Sequence, residues 1–234
     1  MLDVTLVSPP LWTTIAFVLL ILSVQGLLLY AVAKAFPERR SRVVTVAVVF
    51  AVLMALTAGL AESGLLARDQ LPPPGLLYFA IVNGSAIALA LSGGGRALAL
   101  AMAPSFWVLF HSFRLPLEVL LDLWNRAGTI PEQMTWHGQN LDILTGIVAL
   151  ILGLALRWRP QIKALGYAAH AIGLVLLLNV GRVAVLSVPT PFKAFDGPPL
   201  VLPFHAPYTW IAPFAVGAAL FAHIVGLRGL MLRR

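Results

Sequence analysis

The chain has 234 residues, 60% of them hydrophobic and 11% charged, with a formal net charge of +7. A soluble domain carries roughly 25% charged residues, so with a mean hydropathy of +0.92 this composition excludes a soluble globular protein, a disordered tail and a nucleic-acid-binding domain. It points to an all-α, polytopic transmembrane helix bundle forming a single domain over residues 1–234.

A bilayer core about 30 Å thick takes about 20 apolar residues per helix, and seven segments approach or meet that need. The first runs from Leu11 to Phe36, bracketed by Pro9, Pro10 and Pro37. Asp3 and no basic residue precede it, and it is longer than a signal-peptide core, so it reads as a retained helix. The second is Val43 to Ala61. The third, Leu76 to Leu91, is entered through Pro72-Pro73-Pro74-Gly75. Gly93-Gly94-Gly95-Arg96 reads as a tight turn before the fourth, Ala97 to Phe113, with an extension towards Trp124. The fifth is Leu141 to Leu156, the sixth Ala164 to Val188 and the seventh Tyr208 to Leu227. Six spans would result if Arg96 lay within the membrane.

Charge orients this bundle. With the N-terminus outside, the inner side receives Lys34, Arg39, Arg40, Arg42, Arg96, Arg157, Arg159, Lys163, Arg228, Arg233 and Arg234, which is 11 of the 16 basic residues. All acids but Glu38 fall outside. Basic residues mark cytoplasmic loops, so the C-terminus is expected in the cytoplasm. Trp12, Trp136, Trp158 and Trp210 lie near span ends, where interfacial aromatics belong. The expected location is the bacterial cytoplasmic (inner) membrane.

Two outer segments stand out. Residues 114–140 read as an amphipathic hairpin, a helix followed by a polar loop. Residues 189–207 hold six prolines and read as a stiff, partly extended cover. Within the first, His111, Arg114, Glu118 and Asp122 are spaced 3, 4 and 4, which puts them on one helical face. Pro116 is expected to kink or restart that helix. Asn140 is placed to cap the fifth helix, with Asp142 in its first turn, where the helix dipole favours negative charge. Asn179 and Arg182 sit in the outer half of the sixth helix, and a membrane arginine needs a partner or a route to the interface. Asp142, Glu118 and Glu62 are the candidates.

These eight residues outline an outward-facing, mixed-charge ligand pocket: His111, Arg114, Glu118, Asp122, Asn140, Asp142, Asn179 and Arg182. The plainer account of the same charges is a set of ion pairs locking helices and loops together. No HExxH or HxxxH spacing appears, so no metal site is expected from His111, Glu118, Asp122 and His137. Ser105, Ser112 and Ser187 lie in no GxSxG elbow. The chain has no cysteine, which removes disulfides, thiolate metal sites and a cysteine nucleophile. His170 and His223 fall at matched depth on adjacent antiparallel helices. No cofactor is expected: hydrogen bonding within the bundle is the plainer account of the pair, and axial ligation of a b-type haem is the alternative.

The run Phe113-Arg114-Leu115-Pro116-Leu117-Glu118, with Gln133-Met134-Thr135, Gly138, Asn140, Asp142-Ile143 and Gly146, resembles a family of bacterial multi-pass inner-membrane proteins that has no assigned activity. Pro189-Thr190-Pro191 and Pro207-Tyr208-Thr209-Trp210 resemble it more loosely. The resemblance covers about 35 residues closely and implies no function.

The expected function is binding or transport of a small polar or lipid-like ligand through the outward pocket. A non-catalytic subunit or scaffold of a membrane complex is the first alternative. An enzyme acting on a lipid-linked or periplasmic substrate is the second, with Arg114 and Arg182 holding an anion and Glu118, Asp122 or His111 as base. No motif favours the enzyme. The expected partners are the bilayer, a small-molecule or lipid ligand and a second membrane protein, and no nucleic acid.

Overall fold

A computed structural model describes residues 5–68 and 70–233. Asp3, Asp69 and Arg234, three of the charges used above for topology, lie outside the described residues. The described chain is all-helical, with no strand among its elements. The helices are α1 (Leu11–Ala35), α2 (Arg40–Glu62), α3 (Pro74–Leu91), α4 (Gly93–Ala101), α5 (Pro104–Phe110), α6 (Arg114–Arg126), α7 (Ile143–Trp158), α8 (Lys163–Ser187) and α9 (Ala218–Leu232).

The apolar residues of α1 divide into two stripes. Phe17, Ile21 and Val24 are buried, while Leu11, Ile15, Leu19 and Leu22 face outward. A helix in water would not repeat its apolar stripe on its outer face, but one bathed in lipid would. On α2, Val44, Val48, Val52 and Leu56 form an outward stripe, and only Thr57 and Ala61 are buried. Five helical segments are long and apolar enough to cross a membrane: Leu11–Ala35, Arg40–Glu62, Pro74–Leu91, Lys163–Ser187 and Tyr208–Leu232. The bent pair Gly93–Ala101 and Pro104–Arg126 makes a sixth if taken as one span. Helix α7 has 16 residues, about 24 Å at 1.5 Å per residue, short of a bilayer core.

Prolines set the boundaries. Pro74 and Pro104 occupy the first turns of α3 and α5, where a missing N–H costs nothing. The expected glycine turn is not where the chain breaks. Gly93, Gly94 and Gly95 are helical, and the break is Ser92, whose hydroxyl accepts the Gly95 N–H at 3.2 Å. The backbones approach so closely that a Cβ on Gly95 would lie 2.1 Å from the Ala90 carbonyl oxygen. The fourth predicted span is therefore not straight. Met102 and Ala103 are extended ahead of Pro104, as the residue before proline prefers, and the axis turns by 103°.

In the expected hairpin, α6 has the amphipathic pattern that its spacing predicts and packs most of both stripes into the bundle. It continues α5 through one tight turn at His111–Phe113, where Pro116 cannot donate to the preceding turn. Polar and apolar residues alike are buried along it, with Glu118 at 1% exposure and Trp124 at 0%, while Pro116, Val119 and Arg126 are exposed. Trp124 packs edge-on against Phe17 and Tyr208, with centroids 5.6 and 5.2 Å away. Its indole N–H donates to Thr13 Oγ1 at 2.9 Å.

Helix α9 packs against α3, α4, α5 and α8. It is entered through a π-helical segment, Ile211–Gly217, that contains Pro213. At its far end Arg228 donates to the carbonyls of Ala90 and Ser92, and Arg233 to those of Leu100 and Met102. Lys163 donates to the Arg233 carbonyl. These contacts satisfy carbonyls that helix ends leave without partners. They also gather the α3–α4, α7–α8 and C-terminal basic residues at one end of the bundle. At the other end the Pro-rich loop folds back onto α8. The N–H groups of Ala194 and Leu200 donate to the carbonyls of Leu186 and Ser187 at 3.0 and 2.9 Å.

Candidate functional site

Two polar layers occupy the centre of the bundle. The outer one is built by α6 and the entry to α7. Asn140 Oδ1 accepts the Asp142 N–H at 3.0 Å, a turn bond ahead of α7; the N-cap residue is Asp142, not Asn140 as expected, and no side chain caps the helix. The Asn140 amide donates to both Glu118 oxygens, at 2.9 and 3.1 Å, and to the Met134 carbonyl at 3.1 Å. Arg114 forms an ion pair with Asp142, and the Thr145 hydroxyl donates to the same carboxylate at 2.7 Å. All of these groups are buried. Burying a charge pair is tolerable only when its remaining bonding capacity is used; Thr145 takes up one lone pair of Asp142, while Arg114 Nε is buried without a partner.

A cavity of about 110 Å³ adjoins this layer. Arg114, Glu118 and Asp142 form its polar wall, and its other walls are apolar, including Phe79 of α3, Val180 of α8 and Ala215 of the π-helical segment. Helices α3 and α8 both line it and do not pack closely on each other. Glu118 accepts hydrogen bonds only from Asn140, so its carboxylate keeps acceptor capacity for a donor entering the cavity.

The inner layer is a cluster of three histidines. His111, His170 and His223 come from the α5–α6 junction, α8 and α9, and each offers a ring nitrogen within 4.8 Å of the others. The His111 and His223 rings stack with centroids 3.6 Å apart, and His170 Nδ1 lies 3.1 Å from His223 Nδ1. Both nitrogens of His111, and Nε2 of His170 and of His223, are buried without a hydrogen-bond partner. Two glycines make room for the rings. A Cβ on Gly173 would lie 2.4 Å from His223 Cε1, and one on Gly226 would lie 2.3 Å from His170 Nε2.

The predicted pocket residues thus separate into four places. Arg114, Glu118, Asn140 and Asp142 converge. His111 points away from them into the histidine cluster. Asp122 is buried on the loop side, bound to Arg126 at 2.7 Å and close to His137 at 3.4 Å. Asn179 and Arg182 lie outside the cavity. Asn179 donates to the Gln139 carbonyl at 2.7 Å, and Arg182 donates to Gln139 Oε1 at 3.0 Å and Asn179 Oδ1 at 3.2 Å. None of the three acids considered for Arg182 pairs with it; Asp142 is taken by Arg114, which lies deeper and cannot reach water. The haem reading fails on space. His170 and His223 touch each other, and His111 stacks on His223, so no porphyrin fits between them. The third histidine escaped the sequence because its i+3 spacing to Arg114 assigned it to the wrong layer.

Comparison with protein-family models, curated proteins and solved structures finds no match to this chain.

Proposed function

We propose that this chain is a seven-span protein of the bacterial inner membrane, N-terminus outside, that binds or transports an amphipathic ligand in the cavity beside Glu118. The single observation that carries this reading is that cavity: a carboxylate with spare acceptor capacity set in an otherwise apolar wall. Its 110 Å³ is of the order of the roughly 150 Å³ engineered cavity that holds benzene. That volume suits a head group or a short apolar segment rather than a whole drug-sized ligand. The ligand presents a hydrogen-bond donor, an amine or a hydroxyl, to Glu118. It enters from the lipid between α3 and α8, where the helices stand apart. The seven spans count the bent α4–α6 segment as one and include the short α7. The orientation is supported by the basic residues gathered at one end.

The test is native mass spectrometry of the protein released from its own membrane, with lipid extraction of the same sample. The wild type should retain an amphiphile. Gly181→Leu should lose it, since Gly181 lines the cavity and a Cβ there meets no atom within 4 Å. Glu118→Gln should weaken it. A wild type free of amphiphile, or a Gly181→Leu protein that keeps it, would sink the proposal.

A further inference from the structure

We propose that His111, His170 and His223 form a binding site for one divalent first-row transition-metal ion, zinc in the first instance. The site is separate from the Glu118 cavity and stands whether or not that cavity binds a ligand.

Three observations converge on it. The first is the donor set. The three ring nitrogens lie within 4.8 Å of one another, and Zn–N bonds of about 2.0–2.1 Å place tetrahedral nitrogens about 3.3 Å apart. One pair, His170 Nδ1 and His223 Nδ1, already stands at 3.1 Å; the His111 ring, stacked on His223, has to turn to aim its nitrogen at the same ion. The second is the unmet bonding of the rings. Buried polar side chains are nearly always hydrogen-bonded, yet four of the six nitrogens in this cluster have no partner. An ion held through the two Nδ1 atoms would take one of the unpartnered His111 nitrogens as its third ligand. The third is construction. The rings come from three separate elements, and Gly173 and Gly226 are trimmed to the Cα where a side chain would strike the rings. Packing alone would be served as well by aliphatic side chains without orphaned nitrogens.

The chemistry of the donors selects the ion. Neutral imidazoles suit zinc, copper, iron and nickel, while magnesium and calcium require oxygen ligands. Among the described residues no fourth His, Cys, Asp or Glu joins the group. Three protein ligands therefore leave a position for water or another small exchangeable ligand, the pattern of reactive rather than purely structural zinc sites. Electrostatics permits the charge. In the next layer two buried carboxyl groups, Glu118 and Asp142, accompany one buried guanidinium, Arg114, so no surplus of positive charge repels a cation. Thr145 connects the layers: its hydroxyl holds Asp142, and its methyl carbon lies 3.0 Å from the point that a Gly173 Cβ would occupy, beside the His223 ring.

The experiment uses the full chain carrying an affinity tag without histidine, extracted in mild detergent. Metal content is measured by inductively coupled plasma mass spectrometry before and after dialysis against a chelator. The stripped protein is then titrated with Zn²⁺ and with Co²⁺. We expect about one equivalent of metal per chain in the untreated protein, consistent with a site of this type. Zn²⁺ should raise the melting midpoint of the stripped protein, as any ligand of the folded state does. Co²⁺ should produce ligand-field absorption of a tetrahedral nitrogen site. His170→Gln and His223→Gln should each abolish the cobalt spectrum. Because either variant can also misfold, the decisive measurement is made on the wild type. A wild-type protein that carries no metal and shows neither a Zn²⁺-dependent midpoint nor a cobalt spectrum would overturn the proposal. So would a spectrum unchanged in both folded variants.

Discussion

Replacing Arg114 by methionine removes the only buried guanidinium of the outer polar layer and leaves the Asp142 carboxylate facing an apolar wall. Arg114 is 2% exposed and Asp142 3%, so water cannot take over the lost contact. Breaking a buried ion pair on one side costs about 3–5 kcal/mol. In a chain of this size each kcal/mol lowers the melting midpoint by roughly 2–4 °C, so the variant should melt roughly 6–20 °C below the wild type. The second change identifies the partner. Arg114→Met combined with Asp142→Asn should recover most of the loss, because asparagine keeps an oxygen for the Thr145 hydroxyl and carries no charge. Arg114→Met combined with Glu118→Gln should recover little, because the Glu118 oxygens are held by Asn140. The assay is the intrinsic fluorescence of the two fully buried indoles, Trp107 and Trp124, followed during heating in detergent. A single variant within about 1 kcal/mol of the wild type, or equal rescue by the two second changes, would refute the assignment of Asp142 as partner.

Two further outcomes follow from the same packing. Gly226→Ala places a methyl group 2.3 Å from His170 Nε2 and 2.9 Å from Trp107 Cβ, and overpacking of this kind costs about 1–3 kcal/mol; Gly181→Ala, with open space around its Cβ, should be neutral or slightly stabilising, and thermal melts of the two side by side check the contrast. Arg182→Ala should cost less than about 1 kcal/mol, because its bonds to Gln139 and Asn179 lie at the exposed edge, where such contacts contribute little; a loss equal to that of Arg114→Met would show that Arg182 belongs to the buried network after all.

Much of the architecture was legible from composition and pattern, since length and apolarity identify a membrane helix without reference to its neighbours. The five long helices emerge where the apolar segments lie, and proline marks the starts of α3 and α5 as steric reasoning requires. The fourth segment was misread because hydropathy records apolarity and not direction. Residues 97–124 are apolar enough for one span, but the 103° turn depends on two extended residues ahead of Pro104. The glycine run was misread for a related reason: it is helical rather than a loop, and Gly95 lies where the backbones of α3 and α4 approach closely. In the site, the 3, 4 and 4 spacing aligned Arg114 with Glu118, but capping preference placed the start of α7 too early: Asp142, not Asn140, is the N-cap residue, and it lies ahead of the first turn. Neither rule reports how the layers divide. His111 and Arg114 are one turn apart yet serve different clusters, and only the meeting of α8 and α9 beside that turn reveals it. Arg182 was expected to need an acid because its depth was overestimated; at the edge of the bundle an amide suffices.

The pinning of α9 by Arg228, Arg233 and Lys163 has a consequence for how the molecule is made. Every helix that α9 touches precedes it in the chain, so during synthesis α3, α4, α5 and α8 are in place while the carbonyls of Ala90, Leu100 and Met102 still await their donors and the histidine cluster lacks its third ring. Until α9 packs, α3, α4, α5 and α8 lack the helix that they share as a neighbour. A chain cut before residue 208 would leave His111 and His170 without His223 and would lose the donors that Arg228 and Arg233 supply to those carbonyls.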